Sequence, residues 1–148
     1  MTSPDDLLHL ERFSICETPD HQDIQFLDDR LYEYNVSRTG IADGRLLAII
    51  LRDCANTIVA GLYGWTWGAC CEVKTLWVHN QWRGQGLGTR LMAAAEEEAR
   101  TRGAAQMVLS THSFQVPDFY RGLGFEPVGQ IEDYPVGYQQ IFFRKRLK

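Results

Sequence analysis

One glycine-rich segment constrains this chain more than any other feature. Residues 82–91 read W-R-G-Q-G-L-G-T-R-L and join a β-like run to a helix-like run. Glycine lacks the Cβ atom that restricts the backbone, so Gly84, Gly86 and Gly88 let the chain curl and let its N–H groups converge at the positive end of the helix. The segment therefore predicts a strand-to-helix turn that binds a phosphate or a pyrophosphate.

The size and composition of the chain fit one globular domain. Its 148 residues are 45% hydrophobic and 23% charged, and no run approaches the ~18 to 20 apolar residues that cross a bilayer. The first ten residues lack the basic start and the apolar run of a secretion signal. We therefore expect a cytoplasmic protein that does not bind a membrane, with one domain over residues 8–148 and an extension over residues 1–7.

The charged residues and the metal-ligating residues argue against several other classes. The formal net charge is −4 and the isoelectric point is near 5.5, without the basic stripe that is typical of nucleic-acid binding. The four cysteines and four histidines show no metal-ligand spacing, and we expect the cysteines to be buried, reduced thiols. The composition thus predicts neither a nucleic-acid partner nor a metal.

Hydrophobic periodicity predicts an α/β fold. Apolar residues recur at three- and four-residue steps over residues 20–36 and 87–102, which indicates two amphipathic helices, and a short third helix is predicted over residues 117–123. Strands are predicted over residues 8–16, 45–52, 57–67, 70–79, 106–111, 126–132 and 138–146. Strands two to four should form an antiparallel meander, and the fourth should join the fifth by a parallel crossover. The expected architecture is a mixed, mostly antiparallel sheet with helices on both faces.

Two common nucleotide motifs do not fit the glycine-rich segment. A dinucleotide fingerprint G-x-G-x-x-G would need glycine at position 89, where the chain has Thr89. No G-x-x-x-x-G-K-[ST] phosphate loop occurs in the chain either. The pattern that fits is R-x-x-G-x-G, from Arg83 through Gly86 to Gly88.

Several features together resemble the GNAT superfamily of acetyl-CoA-dependent N-acetyltransferases. The R-x-x-G-x-G pattern follows a strand that contains L-W-V, and a later segment F-Y-R-G-L-G-F occupies residues 119–125. The predicted order of strands and helices matches the superfamily as well. The runs S-F-Q-V-P-D-F-Y and Y-P-V-G-Y are similar to a group of small bacterial members with S-F-Q-A-P-x-F-Y and P-x-G-H, although Tyr138 stands where that group usually has histidine.

The resemblance implies that acetyl-CoA binds at the turn and along the strand before it. The N–H groups of the turn would bind the pyrophosphate, and main-chain groups of the strand would bind the pantetheine arm. Ser113 stands where many members carry an asparagine, and the Trp77 side chain is expected to pack in the core. The residues implied in cofactor binding are Leu76, Trp77, Val78, Arg83, Gly84, Gln85, Gly86, Leu87, Gly88, Thr89, Ser113 and Tyr120.

The resemblance also implies direct acetyl transfer to an amine. Tyr120 holds the superfamily's acid position and would donate a proton to the leaving thiolate, while the N–H of Val78 would stabilise the oxyanion. Glu72 lies six residues before Val78, as does the catalytic glutamate of the histone-acetylating branch, and strand alternation predicts that both lie on the same side. Tyr120 and Glu72 are therefore the candidate acid and base.

The acceptor is expected to be a small-molecule amine, because the composition offers no acidic groove for a basic peptide. Trp65 and Trp67 alternate on one predicted strand, where they either line an acceptor pocket or pack. Homodimers are common in the superfamily. Two alternatives stay open, a catalytically inactive acetyl-CoA-binding sensor or interaction module and a nucleotide-binding protein that uses the same turn.

Overall fold

The structure of the protein is a computed structural model that describes residues 15–148. The chain divides into two units, Met1–Gly40 and Ile41–Lys148. The strand predicted over residues 8–16 lies outside the described residues except for its last two positions, which are not in a strand. In the described part of the chain, no helix is long and apolar enough to cross a membrane.

The described residues of the first unit contain the helix α1 (His21–Thr39). Asp20 caps the helix, because its side chain accepts a hydrogen bond from the N–H of Gln22 at 2.8 Å and so satisfies a donor of the first turn. The helix ends at Gly40, whose φ of 72° is left-handed and costs glycine little. The prediction ended this helix at residue 36, before this glycine stop.

The second unit is built around a six-stranded sheet in the order β1-β2-β3-β4-β6-β5. Only the pair β3 and β4 is parallel among the described strands. The predicted meander and the parallel crossover are therefore confirmed. The strands are β1 (Arg45–Arg52), β2 (Ile58–Trp67), β3 (Cys70–Val78), β4 (Gln106–His112), β5 (Glu126–Glu132) and β6 (Gln139–Arg146).

Two helices of this unit, α2 (Leu87–Thr101) and α3 (Pro117–Gly122), contribute to one hydrophobic core with the sheet. The apolar stripe predicted on α2 is buried at Leu91, Met92, Ala95 and Ala99. Alternation along the strands brings their inward side chains to the same layer. These inward residues are Leu47, Leu62, Cys71, Val73, Met107, Leu109, Ile141 and Phe143.

A β-bulge interrupts the pairing of β2 with β3. Tyr63 pairs with Thr75 whereas Gly64 pairs with Val73, so Lys74 is the extra residue on β3. A Cβ atom at Gly64 would lie 1.8 Å from the carbonyl oxygen of Glu72, which explains why this strand position carries glycine. A bulge adds one residue and reverses which face each later side chain occupies.

The cysteines are free thiols in different surroundings. Cys71 is buried and Cys70 is partly buried, whereas Cys16 and Cys54 are exposed. The prediction of four buried thiols is therefore wrong for two of them, because Cys16 and Cys54 lie outside the strands that form the core. Burial raises the pKa of the Cys71 thiol to about 11, which keeps this thiol protonated and a poor nucleophile at neutral pH.

Glu96 of α2 ties the helix to β6. Its carboxylate accepts a hydrogen bond from Lys145 Nζ at 2.6 Å and another from the Arg100 guanidinium at 2.6 Å. Burial by itself raises the pKa of Glu96, but the hydrogen bonds and charges of Lys145 and Arg100 outweigh burial, so the pKa lies below its ordinary value. This ion pair joins two elements that are distant in sequence.

We expect Glu96→Gln to lower the free energy of unfolding at pH 7 by about 1 to 2 kcal/mol, because it weakens two charge-assisted hydrogen bonds. A carboxyl whose folded pKa is lowered stabilises the folded state above its unfolded pKa of about 4.3 and loses that contribution as the pH falls through the folded pKa. Urea unfolding from neutral to acid pH should therefore show the two proteins converging below about pH 4. Glu97→Gln, at an exposed position, is the control, and an equal loss in both variants would contradict the assignment.

Candidate active site

The parallel pairing of β3 with β4 ends early and leaves a cleft between the two strands. The last pair is Val73 with Leu109, whereas β3 stays paired with β2 as far as Val78. Among the described strands, none pairs with the β4-facing edge of residues 74–78. Alternate residues of an antiparallel strand direct their N–H and C=O groups to opposite sides, so part of this main chain is open to the cleft.

The cleft has a volume of about 820 Å³, which is in the range of organic-ligand sites. It joins the gap between the strands to the glycine-rich turn. The lining residues come from β3 (73–78), the turn and the start of α2 (82–84 and 86–89), the end of β4 (109–111), and the following loop with α3 (114–116, 119 and 120).

The turn has the backbone of an anion site. Gly84 and Gly86 have φ angles of 73° and 79°, a region that other residues rarely adopt. Gly86 is the N-cap of α2 and makes no side-chain cap, so the first N–H groups of the helix are left for another acceptor. The positive end of the helix dipole adds to the attraction for negative charge.

Gly88 and Arg83 support the turn in other ways. A Cβ atom on Gly88 would lie 3.3 Å from Cζ of Phe119, so glycine here allows α2 and α3 to pack closely. The prediction that all three glycines serve the curl of the backbone is therefore correct for the first two only. Arg83 Nε donates to the carbonyl oxygen of Val78 at 2.9 Å, which fixes the turn against the end of β3.

Tyr120 lines the cleft from α3 within an aromatic cluster. Its ring centroid lies 5.1 Å from that of Phe119, 6.0 Å from Phe125 and 6.2 Å from Phe143. Burial raises the pKa of the phenol, which keeps its proton in place at neutral pH. The Tyr120 hydroxyl has no hydrogen-bond partner among the described residues. Every fully buried polar side-chain atom of these residues does have a partner. The hydroxyl is therefore not fully buried, and it is accessible from the cleft that Tyr120 lines.

Glu72 lies on the opposite face of the sheet from Val78, so the prediction from strand alternation is wrong. Glu72 pairs with Trp65 and Val78 pairs with Ala60, and Trp65 is exposed whereas Ala60 is fully buried. The extra residue Lys74 exchanges the faces of β3 between these two positions. Glu72 does not line the cleft, and its role as a base stays a prediction from the resemblance.

The same bulge explains where Trp77 lies. Without an extra residue, strand alternation would place Trp77 on the core side with Val73. With it, Trp77 pairs with Gly61 on the outer side, and its side chain is 44% exposed and in edge contact with His79. The prediction that the side chain packs in the core is therefore wrong, although the residue lines the cleft.

Most of the residues predicted to bind the cofactor line the cleft, and Gln85 and Ser113 do not. The N–H of Ser113 donates to the carbonyl oxygen of Gln139 at 2.8 Å, and its Oγ accepts from the N–H of Gln139 at 3.1 Å. Ser113 thus joins the end of β4 to the start of β6. The predicted residues that line the cleft are Leu76, Trp77, Val78, Arg83, Gly84, Gly86, Leu87, Gly88, Thr89 and Tyr120.

Sequence reasoning missed other lining residues. Gln115 closes the turn after β4, since its Oε1 accepts from Thr111 Oγ1 at 3.0 Å and from the N–H of His112 at 2.8 Å. The run S-F-Q-V-P is the sequence signal for this loop, but it carries a resemblance and does not by itself predict a contact with the cleft. The missed lining residues are Val73, Lys74, Thr75, Trp82, Leu109, Ser110, Thr111, Phe114, Gln115, Val116 and Phe119.

An aromatic rim, defined here as His112, Phe114, Tyr134 and Tyr138, borders the cleft. Phe114 lines the cleft, stacks on the His112 ring at 5.4 Å and meets the Tyr138 ring edge-on at 5.1 Å. His112 Nδ1 lies 2.8 Å from the carbonyl oxygen of Tyr134. Phe114, Tyr134 and Tyr138 are each about half exposed, so their rings are available to a ligand.

Comparisons with known proteins identify the family. Residues 43–127 match the family described as "Acetyltransferase (GNAT) domain". A crystal structure of an acetyltransferase from Agrobacterium tumefaciens is 32% identical, with a TM-score of 0.80 over 92% of this chain and 99% of that one. This chain belongs to the GNAT acetyltransferase family, as the resemblance predicted.

Two further comparisons bear on ligands. Blasticidin-S acetyltransferase of Streptomyces morookaense is 38% identical over 117 residues, which cover 74% of this chain and 84% of that protein. A streptothricin acetyltransferase from Bacillus anthracis, solved in complex with acetyl coenzyme A, shares the fold at 19% identity and a TM-score of 0.61 over 70% of this chain and 63% of that one.

Proposed function

We propose that this protein transfers the acetyl group of acetyl-CoA directly to the amine of a small molecule. The observation that carries the proposal is that one cleft joins the uncapped start of α2, the open edge of β3 and Tyr120 with its hydroxyl group. No described cysteine lines this cleft, which favours direct transfer over a covalent thioester on the protein.

The two ends of the cleft suit different parts of acetyl-CoA. The N–H groups at the start of α2 suit the pyrophosphate. Among the described residues that line the cleft, Lys74 and Arg83 carry positive charge and none carries a carboxylate. The unpaired edge of residues 74–78 can bind the amide groups of the pantetheine arm, as an added strand binds a sheet edge. The distant relative with acetyl coenzyme A supports this use of the fold.

The transfer needs an electrostatic group and an acid. When the acceptor nitrogen attacks the thioester carbon, a main-chain N–H on the open edge of β3, assigned to Val78 by the resemblance, stabilises the oxyanion. Tyr120 donates its hydroxyl proton to the sulfur as the C–S bond breaks, and the proton that the nitrogen loses as the amide forms restores the phenol. An acceptor ammonium must first lose a proton, and Glu72 is a candidate for that step on the resemblance alone.

The aromatic rim supports a small-molecule acceptor. Its half-exposed rings offer flat apolar faces to a planar group and negative ring faces to a cation. Tyr138 belongs to this rim because its ring contacts the ring of Phe114. The position that usually carries histidine in the similar bacterial group therefore holds a phenol beside the cleft in this protein. The name of the Streptomyces relative, Blasticidin-S acetyltransferase, also points to a small-molecule acceptor.

Release of free CoA thiol with a panel of small amines tests the proposal. We expect release above the rate of hydrolysis with at least one amine, together with an N-acetylated product detected by mass spectrometry. Calorimetry with acetyl-CoA, ATP and NAD should show binding of acetyl-CoA in preference to the nucleotides. Binding without turnover on any amine would instead indicate a sensor, and preference for ATP or NAD would indicate a nucleotide-binding protein.

We expect Gly86→Asp to weaken acetyl-CoA binding at least about 100-fold, or roughly 2.7 kcal/mol. The carboxylate would lie at the start of α2, where it would repel the pyrophosphate. Gly86→Asn is the matched control, because asparagine has nearly the same size and tolerates a positive φ without the charge. Equal affinity of the Asp variant and the parent chain by calorimetry would place the phosphate site elsewhere.

We expect Tyr120→Phe to lower kcat by about 100-fold, the usual scale for a lost general acid, with little change in acetyl-CoA affinity. The ring keeps its contacts in the aromatic cluster, so the variant should fold. Since burial raises the pKa of this phenol, the alkaline limb of the kcat profile, where the acid loses its proton, should lie above the ordinary tyrosine value of about 10. Tyr63→Phe, outside the cleft lining, is the control, and an unchanged kcat for Tyr120→Phe would remove the assignment.

A further inference from the structure

We propose that the protein also acetylates itself at Lys74, within its own cleft. This inference rests on the proposed function, because it needs acetyl-CoA bound between β3 and β4. Lys74 would then be a modification site as well as a lining residue, with the thioester of acetyl-CoA as the acyl donor.

Lys74 stands where the two strands part. It follows directly after Val73, the last residue of β3 that pairs with β4, and it is the extra residue of the bulge. The residue is exposed and lines the cleft. Its side chain therefore starts at the end of the gap along which the acyl-carrying arm would bind.

The other two lysines of the chain differ in their surroundings. Lys145 donates to Glu96 at 2.6 Å, and Lys148 is the exposed last residue; neither lines the cleft. Lys74 makes no ion pair or side-chain hydrogen bond with a described residue, and none of the described aspartates and glutamates lines the cleft. Within the described part of the chain, Lys74 is thus the lysine whose amine has no partner and whose residue lines the cleft.

The chemistry balances without a further reactant. After the ammonium loses a proton to solvent water, Nζ attacks the carbonyl carbon of the thioester, an N–C bond forms and the C–S bond breaks. The sulfur leaves as the thiol of CoA, and a second proton from the nitrogen accounts for the one that the sulfur gains. An amine already attached beside the thioester has the advantage of an intramolecular reactant.

Acetylation would change the cleft in two ways. It would remove the positive charge of Lys74, which with Arg83 is one of two cationic residues among the described lining, and it would add bulk where the strands part. We therefore expect the modified protein to transfer acetyl groups to a free amine more slowly than the unmodified protein.

Incubation of the full chain with acetyl-CoA and no added amine tests the inference. We expect intact mass to increase by one acetyl group and peptide mapping to place it on Lys74, at a rate that saturates with acetyl-CoA and does not depend on protein concentration. Lys148 reports uncatalysed acetylation in the same sample, and Lys74 should react at least about tenfold faster, as expected for a preplaced amine. Lys74→Arg keeps the charge and should abolish the gain in mass.

Three results would overturn the inference. Lys74 could react no faster than Lys148, its rate could rise with protein concentration, or its rate could persist in Gly86→Asp after acetyl-CoA binding is lost. If any of these occurs while acetyl-CoA binding and transfer to a small amine are retained by the parent chain, only the self-acetylation fails. If the parent chain does not bind acetyl-CoA at all, the proposed function fails with it.

Discussion

The candidate site depends on the point at which β3 leaves β4. A parallel ladder that continued to Val78 would satisfy the main-chain groups of both strands and leave no room for a ligand. The ladder instead stops at Val73 and Leu109, and β3 continues with one edge paired to β2 and the other open. Unpaired main-chain groups beside a cleft need hydrogen-bond partners, and an extended ligand with amide groups can provide them.

Gly64 allows β2 to stay paired with β3 across the bulge that lies beside the cleft. At Gly64 the backbone of β2 approaches the Glu72 carbonyl so closely that a Cβ atom has no room, and the register shift at this point makes Lys74 the extra residue. The bulge places Trp77 outside the core and separates Glu72 from Val78. The extra residue therefore reverses two predictions from strand alternation, the core position of Trp77 and the shared side of Glu72 and Val78.

The turn and Tyr120 are positioned by forces of different range. The left-handed Gly84 and Gly86 lead into the uncapped first turn of α2, so the uncapped N–H donors follow from a short stretch of chain. Tyr120 depends on longer-range packing, because its neighbours Phe125 and Phe143 come from beyond α3. The ion pair between Glu96 and Lys145 links α2 to β6, in the sheet against which Tyr120 packs.

The sequence alone predicts the order and approximate limits of the described helices and strands, because periodicity, glycine and proline act on neighbouring residues. It also predicts the glycine-rich turn, whose donors lie within a few residues of each other. The faces of Glu72 and Trp77, the place of Lys74 as the extra residue of the bulge, the contacts of Ser113 with β6 and the aromatic rim beside the cleft follow from the tertiary structure alone. These features arise from contacts between segments that are distant in the sequence. A bulge that shifts the pairing by one residue is not visible in the pattern of apolar and polar residues along the strand that contains it.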